Sequence, residues 1–355
     1  MLKLTESIIM SRNICQIVSK QARTFTTFNS LRANHTTETF SSEEISIGVP
    51  WGKIAIKTWG QGSKPMIGLH GWLDNAATFD RLVDYLPLNE FKLYSVDFPG
   101  HGWSDPIPKG MNYSATDALI VIKRLQNEFG WSKFDILGHS FGAGMAGWFA
   151  SVFPDCVERL IMIDMTAFGP QALKKQSRST RKSVEQSLKI HETLSNPNLT
   201  PPTYEWADAV GRAHIANQLM HGTDSIFRES VEVLMKRGLR EVEPGKFTWN
   251  SDLRLRIPSP VHLVIDQVEQ MATNIDCPHL LIKASDSPLY MSEEIAERVL
   301  KIYKNNNPDF EYRTVQGGHH IHLNEPEKIG PLIRRFLEKE FVNKDSEDKE
   351  NTPLR

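Results

Sequence analysis

The sequence predicts an α/β fold with a mostly parallel central sheet, helices on both faces and an inserted helical cap. Two observations indicate this class. Short apolar segments bounded by turn residues alternate with amphipathic stretches, which is typical of buried parallel strands joined by crossover helices. This alternation stops after residue 165 and resumes at residue 279. A helical insert in one α/β domain explains the interruption.

The individual elements follow from the same pattern. Residues 45–47 and 53–59 alternate with period two around Pro50-Trp51-Gly52, which predicts an opening hairpin. Buried strands are expected at residues 66–69, 92–96, 134–137 and 160–163, and crossover helices at residues 76–86, 115–129 and 142–153. After the insert, the alternation continues with segments 279–283, 292–303, 311–315 and 327–341.

Composition excludes several classes of protein. The chain has 355 residues, of which 40% are hydrophobic and 24% charged, as in ordinary globular proteins. A net charge of -2 disfavours a nucleic-acid partner, and no apolar run reaches the ~18 to 20 residues of a transmembrane segment. Cys15, Cys156 and Cys277 are scattered, so neither a disulfide framework nor a thiolate zinc site is expected.

The two ends of the chain differ from its middle. Between Met1 and Thr37, five basic residues face a single acid, Glu6, and an amphipathic helix with that charge balance is typical of a mitochondrial transit peptide. We therefore expect a mitochondrial protein, with an ordinary N-terminus and a cytoplasmic location as the alternative. The resulting division is a targeting segment (1–40), a core (41–166 and 275–341), a helical cap (167–274) and a disordered tail (342–355).

A nucleophile motif follows the third parallel strand. Gly138-His139-Ser140-Phe141-Gly142 has the form G-x-S-x-G, with an apolar strand before it and a small-residue helix after it. This context predicts a strained strand-to-helix turn that exposes Ser140 as a nucleophile.

A second loop, His70-Gly71-Trp72, follows an earlier strand and precedes Asp74 and Asn75, either of which can cap the next helix. The backbone amides of Trp72 and Phe141 are the expected oxyanion donors. The later segment Asp97 to Ser104 is interpreted as turn architecture.

Three histidines follow the last predicted strand, in Gly317-Gly318-His319-His320-Ile321-His322. His319 directly follows the glycine pair and is the predicted base, because histidine can accept and return a proton near neutral pH. His320 and His322 are interpreted as structural. No Cys or carboxylate lies nearby at ligand spacing, which disfavours a metal site.

Together these motifs resemble the α/β-hydrolase superfamily, in which serine, acid and histidine occur in that order. The resemblance covers residues 45–341. His70 to Ala77, together with Leu234-Met235-Lys236-Arg237-Gly238-Leu239, resembles the serine hydrolase-like (kraken-type) subgroup. It implies a serine hydrolase with a helical cap and no cofactor.

The triad acid is open between two aspartates. Asp286 follows the strand at 279–283 but lies one position earlier than the superfamily often places its acid. Asp164 follows the strand at 160–163, from which some members supply it. Asp286 is preferred, Asp164 is the alternative, and a dyad is the third possibility.

The function expected from these residues is cleavage of a small or medium carboxylic ester through an acyl-enzyme. The alternatives are a C–C bond hydrolase or acyltransferase on the same triad, or an inactive binding protein on this scaffold. The sequence leaves the oligomeric state open.

A basic cluster in the insert is interpreted as a solvated helix face, with contact to an anionic substrate or a membrane surface as the alternative. The aromatic side chains of the insert are interpreted as the core of the cap. The basic cluster comprises Lys174, Lys175, Arg178, Arg181 and Lys182, and the aromatic residues are Tyr204, Trp206, Phe227, Phe247 and Trp249.

Overall fold

The computed structural model describes residues 40–341. Apart from residue 40, the predicted targeting segment and the predicted tail lie outside this range. The strands are β1 Glu43–Val49, β2 Gly52–Trp59, β3 Lys64–Leu69, β4 Phe91–Val96, β5 Phe134–His139, β6 Val157–Ile163, β7 Leu239–Glu243, β8 Lys246–Trp249, β9 His279–Ala284 and β10 Phe310–Val315. The helices are α1 Ala115–Phe129, α2 Phe141–Val152, α3 Leu173–Ser195, α4 Trp206–His221, α5 Arg228–Gly238, α6 Ile265–Thr273, α7 Glu293–Asn306, α8 Ile321–Asn324 and α9 Pro326–Leu337.

Eight strands form the central sheet in the order β1-β2-β4-β3-β5-β6-β9-β10. The predicted opening hairpin is confirmed, since β1 and β2 pair antiparallel with Ile47 opposite Ile54. β2 also pairs antiparallel with β4, whereas the other neighbours are parallel. The expectation of a mostly parallel sheet is therefore confirmed, and the carboxyl ends of β3, β5, β6 and β9 meet at one edge.

Apolar side chains cover both faces of the sheet. On one face, Val121 of α1, Phe149 of α2 and Val299 of α7 belong to one buried cluster. On the other face, Phe79, from the segment after β3, and Ile333, from α9, belong to a second buried cluster. This arrangement gives the three-layer structure expected of a parallel sheet with crossover helices.

One predicted helix is wrong in type. Residues 76–86 form two 3₁₀ helices, Ala76–Phe79 and Val83–Tyr85. Tertiary hydrogen bonds hold this segment against the sheet, because Asp97 accepts the amide of Ala76 at 2.7 Å. The predicted capping role of Asn75 is confirmed, since its side chain accepts the amide of Ala77 at 3.1 Å.

The insert between β6 and β9 contains more than helices. Besides the helices α3, α4 and α5, the insert contains a two-stranded antiparallel sheet of β7 and β8. The polar, helix-like sequence of this region did not predict that sheet. α6, counted with the cap in the sequence-based division, contributes Val268 and Ala272 to the cluster that also holds α1 and α2. By its contacts α6 belongs to the core, so the insert proper ends before residue 265.

None of the helices within residues 40–341 is long and apolar enough to cross a membrane. The five residues of the predicted basic cluster on α3 are all exposed, as expected of a solvated face. Of the aromatic residues, Tyr204, Trp206, Phe247 and Trp249 pack against the apolar cluster of the insert, whereas Phe227 is 40% exposed.

Candidate active site

Ser140 lies at the turn between β5 and α2. Its backbone has φ 53° and ψ -120°, and its amide donates to the carbonyl of Ile163 at 2.9 Å. The flanking glycines are required by close backbone approach, because a Cβ on Gly142 would lie 2.1 Å from the carbonyl oxygen of Leu69. A Cβ on Gly138 would lie 2.6 Å from the Cα of Ala143. The turn therefore has the strained geometry predicted for a nucleophile elbow.

His319 reaches Ser140 from the loop after β10. Its Nε2 lies 2.9 Å from Ser140 Oγ, and its Nδ1 lies 2.6 Å from Asp164 Oδ2. Burial, together with the neighbouring His139 and His320, holds the pKa of His319 well below its usual value. The imidazole is therefore neutral at neutral pH and able to accept a proton from the serine.

Asp164, at the end of β6, is the aspartate that contacts His319. Its other oxygen, Oδ1, accepts from Lys283 Nζ at 2.5 Å and from the amide of Ala284 at 3.0 Å. The side chain is fully buried, and the adjacent ammonium group supplies the positive charge that a buried carboxylate needs. All its strong partners come from the neighbouring strand β9 and from the histidine loop.

The preference for Asp286 as the partner of His319 is wrong. Asp286 is exposed and accepts hydrogen bonds from Ser285 Oγ at 2.8 Å and Gln316 Nε2 at 2.6 Å. The chain turns after β9 so that the amide of Asp286 pairs with the carbonyl of Gly317, and this pairing directs the side chain to solvent. The alternative considered from the sequence, Asp164, takes the place beside the histidine.

Strained backbone is concentrated around this hydrogen-bonded chain. Within residues 40–341, the non-glycine residues with positive φ are Leu73 at 65°, Ser140 at 53° and Asp164 at 55°. They follow β3, β5 and β6, the strands whose carboxyl ends meet at the site. Such conformations cost on the order of 1–3 kcal/mol each and persist where the surrounding structure fixes them, often at functional sites.

Comparison with known proteins agrees with this geometry. Residues 64–221 match the model of the alpha/beta hydrolase fold family. A "Serine hydrolase-like protein" of Danio rerio is 30% identical over 317 residues, which cover 88% of this chain and 93% of the relative. A "Probable serine hydrolase" of Drosophila melanogaster is 33% identical over 302 residues, covering 84% and 88% of the two chains. The chain is an α/β hydrolase of the serine hydrolase-like group.

A solved structure supports the fold of this hydrolase independently. A hypothetical protein from Pseudomonas aeruginosa PAO1 superposes with a TM-score of 0.70 at 29% identity, over 83% of this chain and 98% of that one. The architecture and the family expected from the sequence are both confirmed.

The two predicted oxyanion donors contact each other next to the turn that holds Ser140. Phe141 is the first residue of α2, so its amide has no acceptor within the helix. Trp72 lies in the loop after β3, and its ring contacts that of Phe141 edge to face at a centroid distance of 5.0 Å. The structure thus brings the two residues together, and their role as donors stays a prediction.

A cavity of about 490 Å³ lies between the core and the insert of the hydrolase. Trp72 and Asp74 line it from the core, and apolar side chains such as Leu219 and Met235 line it from the insert. His221 of α4 also lines it, and its ring stacks on His319 at a centroid distance of 4.2 Å. The cavity is thus joined to the site through His221.

A second cavity, of about 600 Å³, lies at the opposite edge of the sheet. It is bordered by charged side chains such as Lys64, Glu90 and Asp155 near the amino ends of the strands. Because it includes none of the side chains of the Ser140 site, it is not a candidate for the substrate pocket.

An ion pair fastens the insert to the core. Arg237 of α5 donates through Nε to Asp97 Oδ2 at 2.6 Å and through Nη1 to Glu44 at 2.7 Å. Its guanidinium also lies 4.1 Å from the ring centroid of Trp103. Asp97 and Arg237 are both buried. The Asp97 to Ser104 segment, interpreted as a turn, thus also anchors the insert.

Asp74 forms a second buried carboxylate next to the site. Its Oδ2 lies 3.2 Å from His320 Nε2 and 3.7 Å from His139 Nδ1. Burial would raise the pKa of Asp74, but the neighbouring imidazole of His320 holds it well below its usual range. His139, the variable residue of the nucleophile motif, is also 3.0 Å from the carbonyl oxygen of His319 through Nε2.

Sequence reasoning missed three side chains of this site. Lys283 carried a signal, because a lysine at the end of an otherwise apolar strand is unusual in a buried sheet. His139 was treated only as the variable position of its motif. His221 carried no signal, since a histidine in a polar helical insert is ordinary.

Proposed function

We propose that this hydrolase cleaves a small or medium carboxylic ester through an acyl-enzyme formed on Ser140. The observation that carries the proposal is the continuous chain of hydrogen bonds from Ser140 Oγ through His319 to Asp164. A serine in an elbow has little nucleophilicity of its own, and this arrangement supplies the base that activates it.

In the proposed reaction, His319 Nε2 takes the proton of Ser140 as Oγ attacks the ester carbonyl. Asp164 holds the Nδ1–H and stabilises the imidazolium that forms. The imidazolium then protonates the leaving alcohol as the C–O bond breaks. Water attacks the acyl-enzyme by the same route, which releases the acid and restores Ser140.

The charge that develops on the carbonyl oxygen needs donors placed in advance. We assign this role to the amides of Phe141 and Trp72, which lie in the elbow and in the adjacent loop. Each such donor is worth about 10² to 10³ in kcat in serine hydrolases.

The insert is proposed to act as a cap that selects the substrate. Its cavity of about 490 Å³ is lined by apolar side chains and by the aromatic rings of Tyr204 and Trp249. A cavity of this size suits a small or medium acyl or alcohol group. C–C bond cleavage and acyl transfer remain the alternatives, and a panel of ester, β-diketone and acceptor-alcohol substrates separates the three.

A fluorophosphonate probe tests the proposal directly. The wild-type chain should be labelled on Ser140 and should hydrolyse p-nitrophenyl esters, and Ser140→Ala should lose both while keeping its fold by circular dichroism. Ser285→Ala, which removes an exposed hydroxyl in the same region, serves as control and should be labelled like the wild type. A folded wild-type chain that is neither labelled nor active would instead support a binding protein on a hydrolase scaffold.

For the location in the cell, we propose import into mitochondria with removal of the basic N-terminal segment. The support is the excess of basic over acidic residues in residues 1–40. N-terminal sequencing of protein purified from its own cells should give a terminus between about residues 20 and 40. An intact Met1 in the cytosolic fraction would reject this location.

A further inference from the structure

The buried cluster of Asp74, His139 and His320 has the composition of a transition-metal site. One ligand atom from each of these three side chains lies within 4.8 Å of the other two. Two imidazoles and one carboxylate form a common ligand set for zinc in proteins. The sequence disfavoured a metal here because no carboxylate lies near the histidines along the chain, but the fold brings in Asp74 from 246 residues away.

The hydrogen bonds of His139 show which of its nitrogens is free. Its Nε2 lies 3.0 Å from the carbonyl oxygen of His319, and a carbonyl only accepts, so Nε2 carries the proton. In the neutral ring, Nδ1 then carries a lone pair. This atom is buried and has no hydrogen-bond partner within residues 40–341.

The free lone pair faces a carboxylate. His139 Nδ1 lies 3.7 Å from Asp74 Oδ2, and both atoms are acceptors. Within residues 40–341, the groups that pair with the Asp74 carboxylate are histidine rings, so this buried anion has no lysine or arginine such as Lys283 provides for Asp164. A cation between the two acceptors would turn their repulsion into two coordinate bonds.

Two of the three ligand distances are close to those that zinc requires. Ligands at 2.0–2.2 Å around a tetrahedral zinc ion are about 3.3–3.6 Å apart. Asp74 Oδ2 is 3.2 Å from His320 Nε2 and 3.7 Å from His139 Nδ1, and the ligand atoms of the two histidines lie within 4.8 Å of each other. Asp74 also lines the cavity between core and insert, which gives an ion a route to the cluster.

We propose that Asp74, His139 and His320 bind one Zn²⁺. The rings of His139 and His320 lie 4.7 and 5.2 Å from that of His319, centroid to centroid. The proposed ion would therefore lie next to the site of Ser140 and His319.

Calorimetric titration of ZnCl₂ into the full chain, previously treated with EDTA and desalted, tests the site. We expect one Zn²⁺ per chain, and Co²⁺ in its place should give the d–d absorption of a four-coordinate site. Asp74→Asn and His320→Gln should weaken zinc binding by at least about tenfold. MgCl₂ should show no comparable binding.

His322→Gln is the matched control. His322 lies in the same cluster, with its ring 4.0 Å from that of His139, but its Nε2 is bonded to Thr78 Oγ1 at 2.8 Å. This variant should bind zinc within about threefold of the wild type, a difference of about 0.65 kcal/mol. If it binds no better than Asp74→Asn and His320→Gln, the proposed ligand set is wrong.

A variant that keeps all three ligands tests whether the ligand variants lose zinc only because they misfold. A Cβ on Gly71 would lie 2.9 Å from Asp74 Oδ2 and 3.0 Å from His139 Nδ1, in the space an ion would use. Gly71→Ala should therefore also lose zinc. No zinc binding by the wild type, or equal binding by all variants, would overturn the proposal.

The calorimetric results stand whether or not the chain cleaves esters. A chain that binds zinc but cleaves no ester would leave the metal site in place and reject only the proposed function.

Discussion

Two buried aspartates lie within the same site and contact successive histidines, but their surroundings differ. Asp164 receives hydrogen bonds from Lys283, the Ala284 amide and His319. Within residues 40–341, the carboxylate of Asp74 has one hydrogen-bond partner, His320 Nε2 at 3.2 Å. The first carboxylate is held rigidly and has a compensating cation, as proton transfer from a fixed histidine requires. Among the described residues, the second carboxylate pairs with histidines and with no lysine or arginine, which suits it to an exchangeable ion.

The largest expected effect comes from removing the charge of the first carboxylate. Asp164→Asn should lower kcat for p-nitrophenyl esters by about 10⁴, because the amide holds the wrong tautomer of His319 and does not stabilise the imidazolium. Asp286→Asn, a surface change of the same kind, is the control and should keep kcat within about twofold. The opposite ranking would return the acid role to Asp286, and two active variants would favour a dyad.

The cation beside Asp164 is the next target. Lys283→Met should lower the free energy of unfolding by about 3–5 kcal/mol, since it leaves a buried carboxylate without its cation. Urea unfolding followed by circular dichroism measures this. Arg181→Met, which breaks an exposed pair with Glu185, should leave the midpoint unchanged. Equal midpoints for Lys283→Met and the wild type would mean that the lysine does not stabilise the folded carboxylate.

The second carboxylate should matter least for the reaction itself. Asp74→Asn should lower zinc-free kcat by about tenfold at most, a change of about 1.4 kcal/mol in barrier, because Asp74 does not contact His319 or Ser140. Steady-state kinetics in EDTA measure the effect. A loss as large as that of Asp164→Asn would show that the two carboxylates do not have separate roles.

The parts of the site that were predicted from sequence are those set by local chemistry. The elbow at Ser140 and the hairpin at residues 50–52 depend on neighbouring residues whose turn preferences can be read directly. The choice between Asp164 and Asp286 could not be made that way. It depends on which strand end faces the histidine loop, and β6 and β9 meet only in the folded sheet, where Asp164 and Lys283 are 119 residues apart along the chain.

The same limit applies to the insert. Its helices were expected from the polar, helix-like sequence, but the β7–β8 hairpin was not. Nor did the sequence indicate that α6 would join the core, because an amphipathic helix does not specify which apolar surface it covers. The cluster of Asp74, His139 and His320 was missed for a similar reason. The spacing of ligands along the chain is informative only when the ligands come from one segment.

The ion pairs that Arg237 makes with Asp97 and Glu44 affect how molecules enter the cavity under the insert. Lifting the insert away from the sheet would break both ion pairs, which opposes such a motion. We therefore expect the insert to stay on the sheet while molecules enter the cavity beneath it. Leu219, which is 84% exposed and also lines the cavity, marks its rim. We expect the width of that opening, rather than a motion of the insert, to determine which molecules reach Ser140.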